Sequence, residues 1–487
     1  PAPARTRAPT HPGGTMSADE PLTHGQLSTW RSIETFSEDR LMEVNIPALW
    51  DVTGLTEAEV VRGLRLLTSR QEALRTTFHT DPAGWPVQRV HDDVPLRLER
   101  VELPGPQADA ALGVLRDLYA RPFPVTGDPG WRVVLISCAG RPVRLAVSMS
   151  HLVVDVWAVR ALEGQLRQAL AGEEFPAPAP RELAALQHGE AWASRRRGAE
   201  KYWRRILTDG PAHNLPLPRS GPGTRRVQAT LRSPGLAALL ARAEREVKVS
   251  QQSLLTALTA AAVAAFLDRD RVVLSVMCAN RFDPVFKPLI STLNQLVPLP
   301  CSVDRDTGLT AFARRVHLNA LLSYRHGCYD VDTAARLTAE LAAPDGTAFR
   351  HDCWFNYVTT PPPAGPAPRA ANATGVPDAE LEWSLPPRNA GHPFYLRVNG
   401  DGATRLEMTL RTDPDLVPPE AIPGLLRAVT AGARRIVHAP DTTLGALADS
   451  AGHDPLGADL FPTALPPGPP PPPTGAGAAR ELVQLPR

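Results

Sequence analysis

The chain has 487 residues, enough for two to four ordinary domains or for one large two-lobed body. Lys and Arg number 52 against 51 Asp and Glu, a formal charge of +1, so bulk electrostatics give no reason to expect a nucleic-acid or membrane partner. Five cysteines, at 138, 278, 301, 328 and 353, are an odd number without C-x-x-C spacing, which argues against a disulfide framework or zinc knuckle and for a reducing, cytoplasmic setting.

Residues 1–20 carry Pro, Arg and Thr with no apolar stretch, so a disordered lead-in and no secretory signal are expected. The chain opens on Pro1, and two readings fit: a piece of something longer, or a natural start at Met16. A helix is expected over Glu57 to Arg70. Arg132 to Ser137 and Val143 to Met149 are β-branched runs around the turn Cys138-Ala139-Gly140-Arg141-Pro142, and they read as a hairpin. From Val156 the apolar residues Val159, Leu162, Leu166 and Leu170 recur at steps of three and four, a helix with Asp155 at its N-cap.

Phe175 to Pro180 alternates proline with small residues and reads as a stiff spacer. It is the expected boundary between an N-terminal lobe, 21–180, and a C-terminal lobe, 181–451. Helices are expected over Glu182 to Leu207, Leu236 to Arg245, Ser253 to Leu267, Leu309 to Leu322 and Pro419 to Ile436. Strands are expected at Arg271 to Met277, Leu296 to Cys301, Cys353 to Val358, Phe394 to Val398 and Arg405 to Arg411. The apolar run Leu254 to Leu267 offers about 14 residues where a bilayer span needs about 20, and is expected to be a buried helix. A proline-rich loop, Pro361 to Pro368, and a disordered tail over 452–487 complete the reading. Strand hairpins mixed with helices indicate α+β rather than a doubly wound sheet.

The segment Met149-Ser150-His151-Leu152-Val153-Val154-Asp155-Val156-Trp157 sets an imidazole at a strand end and a carboxylate four residues on, at a helix start. His151 admits two readings, a satisfied structural histidine and a general base. Asp155 has a structural role as N-cap, worth about 0.5–2 kcal/mol. Trp157 is assigned to core packing. A metal on His151 and Asp155 would need a third ligand that nothing nearby supplies, so no metal is expected.

This segment resembles the MHHxxxDGW signature of condensation domains of nonribosomal peptide synthetases. Ser150 stands at the first histidine and Val156 at the glycine, while His151, Asp155 and Trp157 match. Leu22 to Trp30 resembles the "S-x-A-Q-x-R-L-W" segment of that family, and Arg70 to Phe78 resembles "R-H-E-x-L-R-T-x-F", with Arg75 read as a structural hydrogen-bond donor. Tyr202-Trp203 with Leu215-Pro216 resembles its "YW…LP" bridge. Leu289 to Leu299 around Asn294 resembles "I-G-x-F-V-N-T-L-P", with Ile290 at the glycine, and Phe355-Asn356-Tyr357 resembles "FNY".

The resemblance implies two chloramphenicol-acetyltransferase-like lobes in a pseudo-dimer, with the active site in the cleft between them. It implies transfer of an acyl or peptidyl group from a carrier-protein thioester to an amine or alcohol, with His151 catalytic. Ser150, Asp155, Trp157 and Arg281 would support the site, Asp155 pairing with Arg281, and Asn294 would lie near the substrate channel. No cofactor of its own is implied: phosphopantetheine would arrive on a partner acyl or peptidyl carrier protein, with a small-molecule or carrier-bound acceptor, and the chain would act as a monomer. The alternative is a weak or inactive condensation-like module that docks carrier proteins or tailoring enzymes, favoured by Ser150 and by Val156, whose β-branch excludes positive φ. A related acyltransferase using coenzyme A and an alcohol shares the H-x-x-x-D core but is disfavoured by the Gln71 to Phe78 and Phe355-Asn356-Tyr357 matches, and an epimerising relative shares the fold without any residue here singling it out.

Overall fold

The computed structural model describes residues 19–105, 108–216, 226–359, 379–384, 392–402 and 404–450. Of the expected lead-in over 1–20, residues 1–18 lie outside the described residues, as do the Pro361 to Pro368 loop and the tail over 452–487, while Glu20 belongs to a strand. The chain divides into two compact units, one running to Ala193 and including Arg281–Leu293, the other comprising Ser194–Asn280 and the chain from Asn294.

In the first unit, β1 (Glu20–Pro21) leads into α1 (His24–Ile33), whose start is closed by a reciprocal cap. Gln26 N–H donates to Thr23 Oγ1 at 3.2 Å, and Thr23 N–H donates to Gln26 Oε1 at 2.8 Å. There follow β2 (Asn45–Asp51), α2 (Glu57–Arg70), β3 (Thr76–Thr80), β4 (Pro86–Val90), β5 (Leu98–Leu103), α3 (Ala108–Tyr119), β6 (Trp131–Cys138), β7 (Arg141–Ser150), α4 (Val156–Ala171) and α5 (Pro180–His188). Strands β2-β7-β6-β5 form one sheet, antiparallel except for the parallel β5–β6 pair, and β1-β4-β3 form a small antiparallel one. The β6–β7 turn places Ala139 at φ 50° and Gly140 at φ 71°, two left-handed residues in succession, the geometry that matches the twist of a two-residue hairpin. Leu135, Ile136, Leu145, Val147 and Met149 are buried on this sheet, as are Leu64 and Leu67 of α2 and Leu162 and Leu166 of α4.

Arg75 ties α2 to the end of β4. Its guanidinium donates to the carbonyls of Thr68, Ser69, His91 and Asp92, capping a helix C-terminus with a cation. The proline-rich stretch after α4 is packed rather than free, since Phe175 is buried and Pro176 O accepts from the amide of Gln165 at 3.2 Å.

The second unit contains α6 (Ala193–Asp209), β8 (Val227–Arg232), α7 (Pro234–Val247), α8 (Gln251–Leu267), β9 (Arg271–Cys278), β10 (Gln295–Ser302), α9 (Leu309–Arg325), α10 (Val331–Glu340), β11 (Cys353–Thr359), β12 (Glu380–Ser384), β13 (Phe394–Gly400), β14 (Leu406–Thr412), α11 (Ala421–His438) and α12 (Leu444–Ser450). Among the described residues its strands form one mixed sheet, β10-β9-β11-β13-β14-β8-β12, in which only β11 runs parallel to its neighbours β9 and β13. The single helix expected over Glu182 to Leu207 is interrupted. α5 ends where Gly189 turns extended (ψ 170°), a short 3-10 turn follows, and α6 starts afresh at Ala193.

Helix α8 is buried on nearly all sides, as expected for a core helix, with Leu254, Leu255, Ala257, Leu258 and Ala260 inaccessible. Among the described residues no single helix is long and apolar enough to cross a membrane; α7 and α8 reach that length only together and are bent by 101°. The mixed order of helices and hairpin-linked strands is α+β.

A buried polar network ties the loop before β11 to β9. Asn214 Nδ2 donates to Asp352 Oδ1 at 2.7 Å and to Val273 O at 2.8 Å, while Asp352 Oδ2 accepts the Asn214 and Leu215 amides. His351 lies beside this network. Its Nδ1 is 2.6 Å from Ser275 Oγ, and the rings of Trp203 and Phe349 meet it edge-on. Burial pushes its imidazole down from 6.5 to about 4. Above pH 6.5 the ring is neutral in both folded and unfolded chains; below it, the unfolded chain binds a proton that the folded one refuses. Stability therefore falls as pH drops from 6.5 towards 4, by up to about 1.4 kcal/mol per pH unit from this group. Urea midpoints of the parent and His351→Gln at neutral and mildly acid pH check this: the variant should lose less on acidification, and equal losses in both would contradict the assignment.

Candidate active site

Strand β7 delivers the motif. Its last residue, Ser150, pairs with Asn45 of β2, and Ser150 N–H donates to Gly130 O at 2.7 Å. The Ser150 side chain is buried and turned into the loop, its hydroxyl accepting Leu152 N–H at 3.3 Å, and Ser150 O accepts the Val153 and Val154 amides. The chain thus folds back on itself immediately after the strand. His151 sits at the bend, half-buried, its N–H donated to Val44 O at 2.8 Å. Its Nδ1 lies 3.2 Å from the hydroxyl of Thr292.

Asp155 ends the loop and begins α4. One carboxylate oxygen, Oδ1, accepts Trp157 N–H at 3.0 Å and Ala158 N–H at 2.8 Å, two of the donors a helix start leaves unpaired. The same oxygen accepts Arg281 Nη2 at 2.9 Å, and Oδ2 accepts Leu293 N–H at 3.0 Å. The Asp155 side chain is 1% exposed and that of Arg281 is 7% exposed, so the pair is taken out of water. Such a pair is tolerated when the remaining donors and acceptors are also satisfied. The two terminal nitrogens of Arg281 answer this by donating to the carbonyls of Phe286, Lys287, Leu289 and Ser291, while its buried Nε has no hydrogen-bond partner among the described residues.

These bonds define a returning segment, Arg281–Leu293, that leaves the second unit's chain and belongs to the first. Besides Asp155 it is held by Gln165 of α4, which donates to Pro288 O at 3.2 Å. Leu289 and Leu293 are buried against Leu183 of α5. The structure therefore brings together His151, Ser150, Asp155, Trp157 and Arg281. Trp157 is only half-buried, with the Arg160 guanidinium 5.2 Å over its ring, so it is not a core residue. Val156 is the first residue of α4 and half-buried. Asn294 belongs to the second unit, where its amide donates to Met277 Sδ at 3.2 Å.

Sequence reasoning does not single out Thr292. The register that matches Asn294 puts Thr292 at the phenylalanine of "I-G-x-F-V-N-T-L-P", and a hydroxyl in place of an aromatic ring is the signal that marks it.

Removing the guanidinium by Arg281→Leu leaves the Asp155 carboxylate buried with backbone donors alone. The expected loss is about 3–5 kcal/mol in urea unfolding, with Arg281→Lys intermediate because a single ammonium cannot reach all five acceptors. A loss as small as that of an exposed ion pair, under about 1 kcal/mol, would contradict the role given to this pair.

The family model for the condensation domain matches residues 20–360. A plipastatin synthase of Bacillus subtilis (strain 168) is 26% identical over 305 residues, covering 60% of this chain and 8% of that protein, so the chain spans a small part of this relative's length. Two solved structures share the fold. The starter condensation domain of rhizomide synthetase, in complex with C8-CoA, superposes with a TM-score of 0.67 at 17% identity, covering 88% of this chain and 96% of that one. The enacyloxin polyketide synthase structure, solved for condensation domain-mediated chain release, gives 0.68 at 20% identity, covering 87% and 83%. With the family model running over most of its length, the chain belongs to the condensation domain family, whose members are acyltransferases.

Proposed function

We propose that this chain moves an acyl or peptidyl group from a carrier-protein thioester to an amine or alcohol, with His151 handling the proton. The observation that carries the reading is the presentation of His151 on a bend fixed from both sides. Upstream the bend is tied to Val44 and Gly130, downstream to the Asp155 hub. A thioester is already activated, so the main demand is to hold two substrates in attack geometry, worth roughly 7–11 kcal/mol. An α-amino group titrates at about 7.7–8.0 and is mostly protonated near neutrality. An imidazole that accepts its proton as the N–C bond forms adds about 10²–10⁴-fold. The C–S bond then breaks and the departing sulfur of the phosphopantetheine arm takes up a proton. On this reading Ser150, Asp155 and Arg281 shape the loop and do not touch substrate.

A second reading is a module that docks carriers without chemistry. Ser150 favours it, because its hydroxyl is spent inside the loop and supplies no imidazole.

Both are decided by incubating acyl-loaded carrier proteins with an amine or alcohol acceptor and following acyl transfer by intact mass. Transfer by the parent chain, reduced about 10²–10⁴-fold in a folded His151→Ala variant, is the expected result. Equal turnover in both removes the role given to His151. No turnover in either, with carrier binding retained, selects the docking module.

A further inference from the structure

Two departures from the resembled segments meet at one point. Gly25 stands at the alanine of "S-x-A-Q-x-R-L-W" and Thr292 at the phenylalanine of "I-G-x-F-V-N-T-L-P". A Cβ built on Gly25 would lie 2.4 Å from Thr292 O and 2.7 Å from Leu293 Cα, distances no side chain occupies. The returning segment therefore lies against α1 more closely than an alanine there allows. On its other side the Leu293 amide is fixed by the Asp155 carboxylate at 3.0 Å. Thr292 is held between these two restraints, fully buried, with its hydroxyl 3.2 Å from His151 Nδ1.

Resting on the transferase reading, we propose that Thr292 is the positioning residue of His151: its hydroxyl oxygen accepts a hydrogen bond from Nδ1–H and so fixes the tautomer in which Nε2 carries the basic lone pair. A neutral imidazole carries one proton on either nitrogen, and the bond made by one ring nitrogen decides what the other can do. With Nδ1–H donated to Thr292 Oγ1, Nε2 is the acceptor. It takes the proton released as the attacking amine or alcohol bonds to the thioester carbon, giving an imidazolium still hydrogen-bonded to Thr292. That proton is returned to the departing thiolate, so the ring ends as it began. Asp155 acts at one remove, because its bond to Leu293 sets the place of the neighbouring Thr292. The aromatic ring of the resembled segment can make no such bond, so the hydroxyl is this chain's own device. It stands beside a motif whose other histidine position is Ser150.

The test uses Thr292→Ser, which keeps the hydroxyl, Thr292→Val, which removes it at nearly constant volume, and Gly25→Ala, which pushes the segment away without touching either side chain. Nitrogen-15 NMR of the His151 ring reads the tautomer without any substrate, and the pH profile of kcat for acyl transfer reads its consequence. The proposal requires the Nδ1–H form in the parent and in Thr292→Ser. It requires a shift towards Nε2–H in Thr292→Val and Gly25→Ala, with kcat about tenfold lower in Thr292→Val, the scale of one hydrogen bond, and KM little changed. An unchanged tautomer and pH profile in folded Thr292→Val overturns it. Should no variant or parent transfer an acyl group while the tautomer still follows the hydroxyl, the transferase reading fails and the placement of Thr292 stands.

Discussion

A carboxylate removed from water has to be given back its lost hydration by the protein, and Asp155 is where this chain meets that demand. Its two oxygens take four donors: two amides of its own helix, one guanidinium and one amide from a segment more than a hundred residues away in sequence. An ordinary N-cap needs only the first two. The other two turn a local helix signal into a tertiary clamp, because a buried carboxylate left without its partner is costly.

The consequences run along the loop. Because Asp155 fixes the start of α4, and Ser150 fixes the end of β7, the intervening residues are closed into a short bend in which Ser150 accepts the amides of Leu152, Val153 and Val154, and Val44 O accepts that of His151. The His151 ring is thereby carried on rigid elements rather than on a mobile connection, as precise chemistry requires. Because Asp155 also fixes Leu293, the residue before it is brought to the same ring. One buried carboxylate sets both the position of the imidazole and the identity of its neighbour.

What could be read from sequence alone follows the range of the forces involved. Helix α2 coincides with its expected bounds, and α4 begins where Asp155 provides a cap, because capping and 3.6-residue periodicity are local. The β6–β7 hairpin was legible for the same reason. Strand β2 carries Pro47 and β5 is largely exposed and charged, so neither shows the apolar alternation of a strand; each exists through its neighbour. The run from Glu182 reads as one helix because Gly189 is a weak breaker, yet the chain turns extended there. Arg281 could be placed beside Asp155 only through the family resemblance. Nothing local ties the two, and the bonds of Arg281 to the carbonyls between 286 and 291, like the approach of Thr292 to His151, depend on that pairing.

Whether Asp155 is a clamp and not only a helix cap is decided by native-state amide hydrogen exchange of Asp155→Ala against the parent. In a clamp, protection falls together at Trp157, Ala158 and Leu293, the last lying 138 residues from the substitution. Loss confined to Trp157 and Ala158, with Leu293 as protected as before, would contradict it.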